Sequence, residues 1–73
     1  LGKIKSLDMF HRDNFPQEFA DGEAMGAGWE PGGDREKGGY PIGFYDWELA
    51  RRNAWFAGFN RGYAWRLRHA AGR

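Results

Sequence analysis

The stretch Phe19-Ala-Asp-Gly22-Glu-Ala-Met-Gly26-Ala-Gly-Trp29 decides the fold, because its spacing returns 36 positions later in Trp55-Phe-Ala-Gly58-Phe-Asn-Arg-Gly62-Tyr-Ala-Trp65. At about 100° per residue, the quartets Phe19, Gly22, Gly26, Trp29 and Trp55, Gly58, Gly62, Trp65 each fall on one face of a helix. Two aromatics bracket two glycines in both. Glycine inside a helix costs roughly 1 kcal/mol relative to alanine, so a pair of them per helix makes sense where another backbone must come close. The expected fold is all-α: a small helical hairpin whose two helices pack through a glycine/aromatic interface, preceded by an N-terminal leader.

Working outward from these faces, the 73 residues form one small domain. The leader covers residues 1–14, helix one 15–29, a Gly/Pro-rich loop 30–45 and helix two 46–69. Ile4, Leu7, Met9 and Phe10 give the leader an apolar side, and Ser6 is placed to cap a short helical turn there. Pro16 after Asn14 marks the start of helix one, since proline suits a first turn where its missing N–H is no loss. Asp46 is the expected cap of helix two, with Glu48 in its first turn and Arg66 and Arg68 favourable near its C-terminus.

A chain this short buries only about 60% of the surface of its unfolded form, so its core must be concentrated in large side chains. Four Trp, six Phe and three Tyr supply that concentration. The absence of cysteine removes disulfides and thiolate chemistry and fits a cytoplasmic setting. Residues 1–14 do not read as a signal peptide, and Gly-x3-Gly as a membrane motif is opposed by Arg51, Arg52, Arg61, Arg66 and Arg68 in helix two. No membrane partner is expected.

Charge divides between the halves. Residues 1–36 carry four basic and eight acidic side chains, a net −4, whereas residues 37–73 carry seven basic and two acidic, a net +5. One consequence is attraction between an acidic helix one and a basic helix two. The other is a basic face for phosphate or an acidic partner, carried by Arg51, Arg52, Arg61, Arg66 and Arg68.

Helix two also has a second apolar stripe, Leu49, Phe56, Phe59, Tyr63 and Leu67, displaced by roughly 120° from the glycine face. Either Phe10, Phe44 and Tyr45 fold over it, or it meets another protein or a second copy of the chain as a homodimer, because large apolar patches are seldom left wet.

Catalytic and cofactor chemistry has little to stand on. His11 and His69 lack the spacing of a metal pair, and Gly33-x4-Gly38 continues with Gly39 and Tyr40 rather than the Lys and Ser/Thr of a phosphate loop. Ser6 is the only hydroxyl besides tyrosine. No enzyme activity, metal or cofactor is expected.

Gly22, Gly26 and Gly28, then Tyr40-Pro41, then Ala54-Trp55-Phe56-Ala57-Gly58-Phe59 resemble the ribosome modulation factor family of small bacterial proteins, over residues 18–66. The resemblance implies a two-helix protein that binds ribosomal RNA and proteins and helps inactivate ribosomes under stress. The chain departs from the family's Cys/Asn-Pro-Tyr loop by reading Tyr-Pro, has a longer spacing to Trp55, and carries an acidic first helix. Asp21 and Glu23 would repel phosphate, so RNA contact would come from the helix-two arginines and Arg73.

Two functions are therefore expected side by side. One is a small non-enzymatic regulator, of bacteriophage or bacterial type, that binds and inhibits a large macromolecular machine through a protein–protein interface. The alternative is a ribosome- or RNA-binding hibernation-type factor.

Overall fold

The computed structural model describes residues 7–71 and is all-α. Helix α1 spans Leu7–Asn14, α2 spans Pro16–Ala27 and α3 spans Leu49–Ala71, with a single 3-10 turn at Phe44–Asp46. Ser6, Ile4 and Arg73 lie outside the described residues, as do the side chains of Leu7 and Met9.

Residues 7–14 of the leader form a helix of eight residues rather than a single turn. Asn14 donates from Nδ2 to the Phe10 carbonyl at 2.8 Å, folding its side chain back one turn along α1. The chain continues almost without a break into α2, with Pro16 in its first turn and Phe15, not Asn14, at the cap position. Helix one ends at Ala27 rather than Trp29, because the Gly28 amide turns back onto the carbonyls of Ala24 and Met25. Helix two begins at Leu49 rather than Asp46. Gly43 in the left-handed region (φ 74°) opens the 3-10 turn that takes up Asp46, and Trp47 is extended. The first backbone bond into α3 runs from Arg52 N to Glu48 O, which leaves Glu48 outside its first turn.

The predicted glycine face is the interface between α2 and α3. A Cβ on Gly22 would overlap the Trp55 carbonyl oxygen and lie 2.9 Å from the Phe59 amide nitrogen; one on Gly26 would overlap the Phe59 carbonyl and lie 2.8 Å from the Tyr63 nitrogen. Gly58 and Gly62 return the relation, aimed at the carbonyls of Phe19 and Glu23. Each glycine therefore points a Cα hydrogen at a carbonyl across the interface, and such weak hydrogen bonds are worth about 0.5–1 kcal/mol apiece. Phe19 and Trp55, the first aromatics of the two copies, are both buried.

These partners also fix the direction of the arms. Moving from Gly22 to Gly26 moves the contact from Trp55 to Phe59, so both numbers rise together and α2 and α3 run parallel. A parallel pair needs a crossover. The 21 residues between Ala27 and Leu49 provide it, returning the chain along the roughly 18 Å length of α2.

That crossover is a structural layer. Gly39 is buried beside Trp29, and the Trp29 indole donates to the Gly33 carbonyl at 3.2 Å. Tyr40 stacks on Phe44 at 4.8 Å between ring centres, and Phe44 lies 5.3 Å from Trp55 and 5.2 Å from Phe56. Phe44, Trp55 and Phe59 form one buried cluster, surrounded by Trp29, Tyr40, Trp47, Phe56 and Tyr63, and Phe19 and Ala54 complete the buried core of the described residues.

Candidate protein-docking surface

The crossover settles much of the second stripe. Phe59, expected at a partner surface, is 1% exposed, because Trp29 packs edge-on to it at 5.8 Å and the Arg35 guanidinium lies 4.7 Å above its ring. Phe56 and Tyr63 are half-buried against the same core. Phe44 supplies the expected cover, whereas Phe10 and Tyr45 stay largely exposed. Only Leu49 (63% exposed) and Leu67 (42%) remain open, and they stand at opposite ends of α3. Replacing Phe56 and Tyr63 together with Asp is accordingly expected to unfold the protein, since two carboxylates would enter the core margin unpaired. A cooperative melt retained in the double variant, read by circular dichroism, would contradict this placement.

The arginines of α3 are mostly engaged within the molecule. Arg51 donates to Glu18 at 2.8 Å and lies 3.7 Å over the Trp47 ring; Arg61 pairs with Glu23 at 3.3 Å and Arg66 with Glu30 at 3.3 Å. The charge split read from the sequence thus draws α3 to α2 and the start of the crossover. Arg52 is half-buried, with its Nε lacking a hydrogen-bond partner among the described residues. Arg68 is exposed and has no acidic partner among the described residues.

The Arg51 guanidinium holds the Glu18 carboxyl below its ordinary value of 4.5, chiefly through the hydrogen bond. A depressed folded pKa stabilises the fold above the unfolded value and loses that contribution as pH falls through the folded one. Glu18→Gln is therefore expected to cost about 0.5–1 kcal/mol at neutral pH, and to cost nothing once pH drops well below 4.5. Urea denaturation of both proteins across acidic pH checks the convergence.

Both closing aromatics of the predicted glycine face lie off the helix contact: Trp29 follows the end of α2 and packs on Phe59 from the crossover, and Trp65 is left without a helix opposite it. Trp65 is 47% exposed, and the reason is geometric: α2 ends at Ala27, opposite Gly62, so the next turn of α3 has no helix across from it. Its ring stacks instead on His69, 4.1 Å between centres, while His69 Nδ1 donates to the Trp65 carbonyl at 2.9 Å. Beside Trp65 lies an open groove of about 680 Å³, walled by Glu23 and Ala27 of α2 and by Arg61, Ala64 and Arg68 of α3. The repeated spacing places Trp65 on the packing face and gives no sign of this groove; the usable signal is that helix one is too short to reach the last turns of helix two.

Among the described residues, no group of three or more His, Asp or Glu side chains is placed to hold a metal ion, and no helix is long and apolar enough to cross a membrane. No family model, curated protein or solved structure matches the chain.

Proposed function

We propose that this chain is a non-enzymatic regulator that binds a protein of a larger assembly through the distal half of α3. The observation that carries the reading is a contrast in the use of side chains. Arg51, Arg61 and Arg66 spend their charge on Glu18, Glu23 and Glu30, whereas Trp65 and Leu67 stay exposed on the part of α3 that reaches past α2. Tryptophan and arginine around a cleft are the usual anchors of a protein interface. A polyanion would have to compete with three internal ion pairs and would face their carboxylates, so the RNA-binding alternative implied by the ribosome-factor resemblance has weaker support.

The test is capture by the tagged full chain from its native host, with and without RNase. A protein partner that survives RNase is the expected result. Loss of all captured material with RNase, together with binding to purified ribosomes that falls about tenfold or more between 50 and 200 mM salt, would replace this reading with the RNA one.

A further inference from the structure

The internal repeat relates two sides of the helix pair that are occupied differently. Adding 36 carries Glu23 to Phe59, Ala27 to Tyr63 and Trp29 to Trp65. On one side Trp29 leans on Phe59, and the chain's own crossover closes over it through Gly33, Arg35 and Gly39. On the other side Trp65 stands beside Glu23 and Ala27, two smaller side chains, and no segment of the described chain closes over it. The open groove is therefore the counterpart of a place that already accepts an irregular peptide segment.

We propose that this groove docks an acidic peptide segment of the protein partner, laid against Trp65 as the crossover is laid against Trp29. The inference rests on the protein-binding reading above and names the partner's chemistry. Charge sets the sign: Arg61 and Arg68 flank the groove, Arg61 already shared with Glu23 and Arg68 without an acidic partner among the described residues. A carboxylate can settle on Arg68, and an aromatic or aliphatic neighbour in the segment can cover the Trp65 ring. A continuous phosphate backbone fits less well. It would run past the Glu23 carboxylate and the C-terminal end of α2, whose partial charge is negative, whereas a peptide brings backbone N–H donors to that end.

The experiment selects random dodecapeptides displayed on phage against the immobilised full chain, then measures synthetic copies of the enriched peptides by fluorescence anisotropy. Enrichment of sequences combining Asp or Glu with an aromatic or large aliphatic residue is expected. Ala64→Trp, which fills the groove from an exposed position without changing charge, and Arg68→Glu should each weaken binding about tenfold or more, whereas Arg68→Lys should retain most of it. Circular dichroism confirms that the variants are folded. Enriched peptides without acidic bias, or unchanged affinity in both variants, would overturn the proposal, as would oligouridylate binding that vanishes in Arg68→Glu while peptides fail to bind. The two readings also fail separately. Capture of the same target by wild type and Ala64→Trp removes the groove and leaves the regulator, and absence of RNase-resistant capture alongside groove-dependent peptide binding does the reverse.

Discussion

Gly58→Ala should destabilise the protein by roughly 2–4 kcal/mol, although alanine is the better helix former by about 1 kcal/mol. The new methyl would overlap the Phe19 carbonyl oxygen and sit 3.0 Å from the Glu23 amide nitrogen. Both are backbone atoms of α2, so no rotamer change can relieve the clash, and the helices must move apart along their whole contact. Separation would also lengthen the Cα–H···O contacts of Gly22, Gly26 and Gly62. A domain of this size holds on the order of 4–11 kcal/mol in total, so the variant should melt far below the parent or not fold at all. Gly58→Ile or Gly26→Ile should be worse. Gly28→Ala is the control, because the nearest atom to its added methyl is 3.8 Å away. Equal urea midpoints for Gly58→Ala and Gly28→Ala would show that the backbones do not need to touch.

The second large loss is expected at Phe44→Ala, about 3–5 kcal/mol. Phe44 is 2% exposed and touches Tyr40, Trp47, Trp55 and Phe56, which makes it the point where the crossover enters the core. Its removal leaves a cavity ringed by aromatics that are held from separate segments and cannot easily collapse. Trp55 should gain contact with water, giving a red-shifted emission before global unfolding. Tyr45→Ala is the matching comparison, because that ring is mostly exposed and loses chiefly its hydroxyl bond to Glu36 at 2.8 Å. A cost below about 1 kcal/mol is expected there. Similar losses for the two variants would mean that residues 30–45 are a tether rather than a layer of the core.

The glycine face was legible in the sequence because contact between helix backbones leaves no room for a side chain, and that demand recurs every four residues at Gly22, Gly26, Gly58 and Gly62. The pairing of acidic helix one with basic helix two was legible from charge alone. Direction was not, since the repeated face reads the same whether the arms are parallel or antiparallel; the length of the Gly/Pro-rich segment was the usable sign. Asp46 had the composition of a cap, but the left-handed turn at Gly43 used it earlier in the chain. Phe59 and Trp65 were misplaced for a shared reason. Periodicity assigns a residue to a helix face, whereas exposure depends on what covers that face, and coverage came from an irregular segment on one side and ran out on the other.

The parallel course of the arms has a consequence for how the chain reaches its native state. The contacts across the glycine face join residues 33 to 39 positions apart, about half the sequence. An antiparallel pair joined by a short turn can zip outward from that turn, adding contacts one step at a time. Here the crossover must first return to the starting end, and the loop-closure entropy comes due before any contact between the helices offsets it. Although every element is helical, folding should be slower than in an antiparallel pair of the same size. In the unfolded chain the two Gly-x3-Gly segments must find each other by diffusion before they can lock.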